Sequence, residues 1–365
     1  MKTHHIAHLL IGLFHIVIMF LFVLAAFSDT VSPEVSVIFA YLGLLFPFLL
    51  VMNLCLLIYW LFIRKWMFLF IAGCSVLICW KPVSTCLPVH PFRQKAPAGN
   101  VIKLLTYNVM GFNYQPHKKD RPNRILQYII DSKADIVCMQ EYMTEKSGRS
   151  LTQEQIAKAL HMYPYRFCLP LVDHPTYTVG LAIYSKYPIT KSWKVHYESS
   201  FNGSTVHELD VNGKKLIVVN NHLESFKLTM EDRSKYEEFI KNINADTFDG
   251  LRETVQRKLG AAYLIRAKQA NIIATEIHKL KGDYMIVCGD FNDTPISYAH
   301  RTIRGSLVDA FAESGNGPGS TYNQNFFWFR IDHILHSPNM KSYLTTVESV
   351  RFSDHYPVWC YLEMN

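Results

Sequence analysis

The feature that most constrains this chain is the near absence of charge from its first 81 residues, which hold only six charged side chains. Three apolar runs fill the stretch, at residues 6–27, 35–63 and 66–80. A helix rises about 1.5 Å per residue and the hydrocarbon core of a bilayer is about 30 Å thick, so the first two runs are long enough to cross it. The third is shorter. We therefore predict two to three transmembrane helices within residues 1–81, which would bind the lipid bilayer.

The two short loops between these runs differ in charge. The first carries Asp29 and Glu34, whereas the second is Arg64-Lys65. Because basic loops stay in the cytoplasm, the N-terminus and the second loop are expected there. If residues 66–80 span the membrane, the rest of the chain lies on the extracytoplasmic side, as we expect. If they form a re-entrant or interfacial segment, the rest stays inside.

Residues 82–100 contain Pro82, Pro88, Pro91 and Pro97. Proline at this density disfavours regular structure, so we expect an extended tether. The chain beyond it has the charge content of a soluble domain. The formal net charge of the whole chain, +7, suits an anionic substrate or membrane surface and is too small to indicate nucleic acid by itself.

Residues 101–365 alternate short apolar strands with helical stretches, which is typical of a layered α/β domain. Cys138, Cys288 and Cys360 lie within apolar strand-like runs and are expected in the core. Residues 226–258 carry both charge signs and are expected to be a surface excursion, which is a solvated insertion, a lid over the site or a membrane-contacting segment. Residues 326–329 form an aromatic run beside Asp332.

Several apolar strands of this domain end abruptly in an acid, an amide or a histidine. One such side chain is unremarkable, because turns and helix caps favour these residue types. Their repetition in one domain indicates a shared site. The residues are Asn108, Glu141, His222, Asp290, Asn292, Asp332, Asp354 and His355.

Phosphoester hydrolysis explains this combination of side chains. The reaction needs an attacking water, a Lewis acid on a phosphoryl oxygen and neutralisation of transition-state charge. Glu141 and Asp354 offer the hard oxygen ligands that Mg²⁺ prefers. The amide of Asn292 can donate to a phosphate oxygen without repelling it. An acid such as Asp332 can orient His355 for general-base catalysis.

These motifs resemble the endonuclease/exonuclease/phosphatase superfamily, which includes pancreatic deoxyribonuclease, apurinic-site endonucleases, neutral sphingomyelinases, inositol-polyphosphate phosphatases and deadenylases. The resemblance covers residues 101–365 and implies a four-layer α/β sandwich of two mixed β-sheets flanked by helices. It rests on six motifs in order, which are Thr-Tyr-Asn108-Val, Gln-Glu141, Asn-His222-Leu-Glu-Ser, Gly-Asp290-Phe-Asn292, Arg-Ile-Asp332-His-Ile-Leu and Ser-Asp354-His355-Tyr-Pro-Val.

The resemblance also implies a role for each residue. Glu141 would bind a metal, with Asn108 and Asp354 assisting; Mg²⁺ is expected, with Mn²⁺ as the alternative. Asp290 would align or activate water, Asn292 would hold phosphate, and His222 would contact the scissile phosphate. His355, oriented by Asp332, would act as general base or as a cation that stabilises phosphate. Met110 stands where apurinic-site endonucleases carry a further aspartate, which argues against a second acidic metal site of that kind.

The sequence therefore predicts a membrane-anchored, divalent-metal-dependent phosphoester hydrolase of nuclease or phosphodiesterase type. The alternative within this class is a phospholipase C-like or sphingomyelinase-like enzyme that cleaves lipid headgroups, which the anchor and the aromatic run favour. The substrate would accordingly be nucleic acid or a phospholipid headgroup. A catalytically silent, membrane-tethered binding domain is the remaining alternative, and the intact motifs argue against it.

Overall fold

The computed structural model describes residues 2–92, 95, 99–118, 120–146, 150–227, 234, 242, 244, 249, 255–324 and 329–364. Most of the predicted excursion at residues 226–258, and residues 326–328 of the aromatic run, lie outside this described part.

The N-terminal part of the chain folds into four helices, here called the helical unit (residues 2–86). Two of them are long and apolar enough to cross a membrane, one within Ile6–Thr30 and the other at Val37–Ile63. A third crossing is formed only if two shorter helices, bent by 69° at their junction, count as one broken span. The helices are α1 (Lys2–Ala26), α2 (Val37–Ile63), α3 (Trp66–Ile78) and α4 (Trp80–Cys86).

A buried polar network holds α1, α2 and α3 together. His15 Nε2 lies 2.8 Å from Asn53 Oδ1, and Asn53 Nδ2 donates to Ser75 Oγ at 3.0 Å. Trp60 Nε1 donates to His15 Nδ1 at 2.8 Å. Each of these groups finds a partner on another helix, which an apolar environment demands of polar side chains. The network therefore fixes the register of the three helices.

The expectation of an extended tether from residue 82 is wrong over its first residues, because α4 extends to Cys86. Pro82 lies in the first turn of α4, where a backbone N–H has no partner within the helix, so proline costs little there. Leu87 then leaves the helical conformation.

The remainder is an α/β domain (residues 101–364) built on two six-stranded sheets, which confirms the predicted fold class. The first sheet has the order β11-β12-β1-β2-β4-β3 and the second β5-β6-β7-β8-β10-β9. Both are mixed: β1 and β2 are parallel, as are β7 and β8, whereas the other neighbours are antiparallel. The strands are β1 (Val101–Asn108), β2 (Ile136–Glu145), β3 (Tyr165–Asp173), β4 (Tyr177–Ser185), β5 (Ile189–Val195), β6 (Gly203–Val211), β7 (Lys214–His222), β8 (Tyr284–Asp290), β9 (Val308–Asp309), β10 (Asp332–His336), β11 (Met340–Val347) and β12 (Val358–Met364).

Helices cover the outer face of each sheet. Cys138, Cys288 and Cys360 lie in the core between the sheets, as expected from the sequence. A second core lies beneath α5 and α6, and a third beneath α7 and α8. The helices of this domain are α5 (Arg124–Ser132), α6 (Gln153–Ala159), α7 (Gly260–Lys279), α8 (Tyr298–Arg304) and α9 (Ala310–Ser314).

The helical unit packs directly against the α/β domain. Ile296 is buried in the same apolar cluster as Phe22 and Phe46 of α1 and α2. An added Cβ at Gly43 would lie 2.7 Å from the carbonyl oxygen of Ile296, so the missing side chain permits this close approach. Arg330 is buried and its guanidinium donates to the carbonyl oxygen of Thr85 in α4.

The first loop of the helical unit also contacts the α/β domain. Arg301 Nη1 of α8 lies 3.4 Å from Asp29 Oδ2. The second loop, at Arg64-Lys65, lies at the opposite end of α2. The chain thus returns through α3 and α4 to the end of the helical unit that carries the acidic loop.

Candidate active site

The predicted site residues converge because strand ends from both sheets meet at one edge. In the second sheet, Asp290 at the end of β8 pairs in register with His222 of β7 and with Asp332 of β10. In the first sheet, Asn108 ends β1 and pairs with Gln140, directly before Glu141. The alternation of strands and helices therefore places five carboxylate, amide or imidazole side chains at one edge.

Local backbone distortions orient two of the site residues, Glu141 and Asn292. Glu141 lies in an irregularity of the β2–β4 pairing and has a φ of 50°. Asn292 has a φ of 51°. Such values are uncommon outside glycine and carry an energetic cost, which is often tolerated at functional sites. Gly289, with a φ of 124°, allows β8 to approach Asn221, whose carbonyl oxygen would lie 2.1 Å from an added Cβ.

Asn108 connects the two sheets at the centre of the site. Its Nδ2 donates to Glu141 Oε1 and to Asp290 Oδ2, both at 3.1 Å. Its Oδ1 accepts from the backbone N–H of Met110 at 3.1 Å, which fixes the orientation of the amide. Burial raises the pKa of Glu141, although the hydrogen bond from Asn108 opposes this. One buried amide therefore holds two carboxylates together.

His355 is held by Asp332, as the sequence predicts. Its Nδ1 lies 2.8 Å from Asp332 Oδ2, and its Nε2 lies 3.7 Å from Asp290 Oδ2. Burial lowers the pKa of His355, but the charges of Asp332 and Asp290 outweigh this and raise it well above its usual value. Burial also raises the pKa of Asp290, to about 6, with Asp332 adding to the rise and His355 opposing it. Of His355 and Asp290, the imidazole of His355 therefore carries the proton near neutral pH.

His222 lies on the other side of the same carboxylates. Its Nε2 is 3.8 Å from both Glu141 Oε1 and Asp290 Oδ2. Burial lowers the pKa of His222, and the charge of Asp290 only partly compensates. The two histidines of the site therefore differ in charge: His222 is neutral and His355 is cationic.

The side chains of Asn292 and Asp354 lie beside the site and are bonded to neighbouring groups. Asn292 Nδ2 donates to the carbonyl oxygen of Leu223 at 2.9 Å, and its backbone N–H donates to Asp290 Oδ1 at 2.8 Å. Asp354 Oδ1 accepts from Ser353 Oγ at 3.2 Å. Its charge still acts on both Glu141 and His355, since it raises the pKa of each.

A cavity of about 650 Å³ opens beside these groups, and Glu141 and His222 form part of its wall. Tyr114 and Phe201, which line the cavity, are 63% and 56% exposed. Sequence reasoning missed both, because an isolated aromatic residue in a loop has no distinctive pattern. They provide flat apolar surfaces next to the carboxylates.

The α/β domain holds a second compact group of buried titratable residues behind the site. His300 Nε2 lies 3.1 Å from Asp309 Oδ2, and the rings of His300 and His333 are 4.6 Å apart. Burial raises the pKa of Asp309, but His300 and the charge of Arg330 outweigh it and hold the pKa below its usual range. Burial lowers the pKa of His333. The opposite charges of Asp309 and Arg330 thus stabilise each other within this buried group.

Comparisons with known proteins agree with this geometry. The profile of the family described as "Endonuclease/Exonuclease/phosphatase family" matches residues 105–355, and a family described only as a domain of unknown function matches residues 8–86. No curated protein sequence matches the chain.

Among solved structures, similarity extends to the endonuclease/exonuclease/phosphatase from Bacteroides vulgatus, at 19% identity and a TM-score of 0.50, over 73% of this chain and 100% of that one. The endonuclease/exonuclease/phosphatase from Beutenbergia cavernae DSM 12333 is similar at 17% identity and a TM-score of 0.50, over 73% of this chain and 72% of that one. At these identities the similarity shows the fold.

Proposed function

Because the chain belongs to the endonuclease/exonuclease/phosphatase family, we propose that it is a membrane-anchored, divalent-metal-dependent hydrolase of phosphoester bonds. The observation that carries the proposal is the convergence of Glu141, Asn108, Asp290, His222 and the Asp332–His355 pair at one edge of the two sheets. Two carboxylates, a neutral histidine and a cationic histidine in one buried site match the needs of water attack on phosphorus.

The protein groups divide the proton transfers among them. Asp290 Oδ2 accepts a proton from the attacking water as the new P–O bond forms. His355, cationic and held by Asp332, stabilises charge on the phosphoryl oxygens and can pass a proton to the leaving oxygen as the ester bond breaks. His222 and Asn292 contact the phosphate from the second sheet. This assignment follows the raised pKa of both Asp290 and His355.

The side chains at this edge fit a divalent metal. Glu141 and Asp290 are close carboxylates whose pKa values burial raises, so added positive charge would stabilise both. Glu141 would hold the ion with Asp354 assisting, and their carboxylates offer the hard oxygen atoms that suit Mg²⁺, with Mn²⁺ as the alternative. Asn108 turns its amide nitrogen to Glu141 and its oxygen to the N–H of Met110, so it would assist by holding Glu141 in place. When bound, the ion would supply Lewis acidity toward a phosphoryl oxygen.

A phosphoester panel with matched variants tests this proposal. Glu141→Gln should lower turnover at least about 100-fold, as expected when a group that stabilises transition-state charge is lost. EDTA should abolish turnover and Mg²⁺ or Mn²⁺ should restore it. Glu145→Gln is the control, because Glu145 lines the same cavity four residues further along β2. Full activity in EDTA, or equal loss in both variants, would contradict the proposal.

A lipid headgroup is the substrate that one further observation favours. The ring of Phe329, three residues before Asp332, lies 6.4 Å from the ring of Phe48, which projects from α2 and is 59% exposed. Phe48 is in the twelfth position of a helix long enough to cross a membrane. The segment that leads into β10, whose Asp332 holds His355, thus contacts a helix long enough to cross a membrane, and this contact favours a phosphoester carried by a membrane lipid.

Substrate presentation separates lipid cleavage from nuclease activity. Headgroup release should be faster from vesicles than from the same lipid dispersed in excess detergent, because the site is held at the surface. Cleavage of single-stranded DNA should fall steeply with salt if nucleic acid is the substrate. The His355→Ala variant gives the background rate for both headgroup release and DNA cleavage. Turnover of DNA alone, with no release from vesicles, would eliminate the lipid assignment.

We further infer that the α/β domain lies on the extracytoplasmic side. It contacts the acidic first loop through the Arg301–Asp29 pair, whereas the basic Arg64-Lys65 loop lies at the far end of α2. The positive-inside rule then supports the cytoplasm for the basic loop and the opposite side for the domain.

A further inference from the structure

A second cavity lies where the helical unit meets the α/β domain. It has a volume of about 420 Å³ and is here called the joint cavity. Ala26 and Phe27 at the end of α1, and Ile78 at the end of α3, form one wall. Arg301 and Arg304 of α8 form the other. The joint cavity is thus separate from the candidate active site and sits at the level where the helices leave the membrane.

The polar side of the joint cavity holds three basic side chains beside three acidic ones. Lys81, Arg301 and Arg304 line it. Arg301 forms an ion pair with Asp29, with 3.4 Å between Nη1 and Oδ2. Among the described residues, neither Lys81 nor Arg304 forms an ion pair. Two cations at the end of the helical unit therefore have no anionic partner within the described part of the protein.

The three acidic residues of the lining are each bonded to another group, Asp29 to Arg301 and the other two within the α/β domain. Glu313 Oε2 accepts from the backbone N–H of Ser342 at 2.7 Å and lies 3.0 Å from His336 Nε2. Asp309 Oδ1 accepts from the backbone N–H groups of α9, including that of Phe311 at 2.8 Å. Each acidic side chain of the lining therefore has a partner, whereas Lys81 and Arg304 have no ion-pair partner in the part of the chain that the structure describes.

The opposite side of the joint cavity is apolar and open to the bilayer. Phe27 and Ile78 are 44% and 64% exposed, and Trp80, next to the lining residue Lys81, is 60% exposed. Tryptophan at this depth is typical of the membrane interface. The cavity thus changes from apolar to cationic along the direction in which a lipid changes from acyl chain to headgroup.

We propose that the joint cavity binds the phosphate-bearing headgroup of an anionic membrane lipid. Lys81 and Arg304 pair with the phosphate, and Phe27 and Ile78 contact the glycerol and the first acyl carbons. Basic pockets at helix ends favour anionic lipids in this way. A free phosphate ion would use the cations alone and leave the apolar wall uncovered, so the lipid is the better match. The bound lipid would connect α1 and α3 to α8. The proposal is independent of the enzymatic one.

Lipid retention by the full-length protein in detergent tests the proposal. Native mass spectrometry counts the bound phosphatidylglycerol or phosphatidylcholine over a titration of each. Wild type should retain one phosphatidylglycerol in preference to phosphatidylcholine. Lys81→Gln/Arg304→Gln should weaken that binding about 30-fold, since each basic residue near the surface contributes about 1 kcal/mol and 1.4 kcal/mol is a factor of ten.

Two controls make the result specific. Lys158→Gln/Lys214→Gln removes the same charge from exposed positions of the α/β domain and should leave retention unchanged. His355→Ala should also retain the lipid, which separates the joint cavity from the active site. Excess inorganic phosphate should not displace it. Equal retention of both lipids, equal loss in both double variants, or displacement by phosphate would overturn the proposal.

Discussion

At the scale of single residues, the site depends on one amide and one acid–histidine pair. Asn108 donates to two carboxylates from different sheets, and Asp332 holds His355 at 2.8 Å. The sequence predicts these residues because each lies within or beside an apolar strand-like run. It cannot predict that His222 is neutral while His355 is cationic. That difference arises from the distances to Asp290 and Asp332, which exist only after folding.

The pair of Asp332 and His355 should act as one unit in catalysis. Asp332→Asn should lower kcat on the order of 10²–10⁴-fold, because His355 loses the charge that keeps it protonated and oriented. The double variant with His355→Ala should be no slower than His355→Ala alone. Steady-state kinetics on one phosphoester measures this. Independent, multiplicative losses would mean that Asp332 acts elsewhere, and Asp283→Asn serves as an exposed control.

At the scale of elements, the sequence predicts the strands that are buried along nearly their whole length. β1, β2, β7 and β8 are nearly continuous apolar runs, and the sequence predicts each of them. It misses β3, β5 and β11, where exposed and buried positions do not alternate cleanly. β3 is an edge strand with Pro170 and a register shift, and β11 contains an irregularity after Tyr343. Such strands form because a partner strand pairs with them, and that information is distant in the sequence.

Strand β6 carries a histidine that should make the fold sensitive to acid. His207 is buried between Ser192 and Thr205, and burial lowers its pKa to about 3. In the unfolded chain it binds a proton below about 6.5, so the unfolded state takes up more protons and stability falls as pH drops from 6.5 toward 3. At pH 5 the loss is about 2 kcal/mol.

Thermal unfolding of the full-length protein at pH 7.5 and pH 5 measures this effect. His207→Gln should reduce the acid-induced decrease in melting temperature by several degrees. His161→Gln, which replaces an exposed histidine, should leave it unchanged. An identical decrease in wild type and His207→Gln would show that other groups govern the acid response.

At the scale of the whole molecule, the anchor and the α/β domain share a packed boundary. Ile296 enters the core of the helical unit, and the site residue Asn292 is only four positions earlier in the chain. The sequence predicts both parts but not their contact. Only the structure shows that α3 and α4 return the chain to the end of the helical unit that bears Asp29.

Epitope tags on intact cells test this topology. A tag after Ser32 in the first loop and a tag at the C-terminus should be accessible from the same side, and a tag at the N-terminus from the other. Accessibility of the first two without lysis supports the extracytoplasmic placement. Accessibility of the C-terminal tag only after lysis would contradict it, and tags at Ser32 and the C-terminus on opposite sides would contradict the packing itself.

The bond between Arg330 and the carbonyl oxygen of Thr85 constrains how such a protein can evolve. Domain shuffling works when an anchor can be exchanged without disturbing the domain it carries. Here a buried arginine two residues before Asp332 takes one of its acceptors from the anchor, and a replacement anchor without a helix end at that place would leave a buried charge short of a partner. We therefore expect the helical unit and the α/β domain to be inherited together, and chimaeras with foreign anchors to misfold near the catalytic strand.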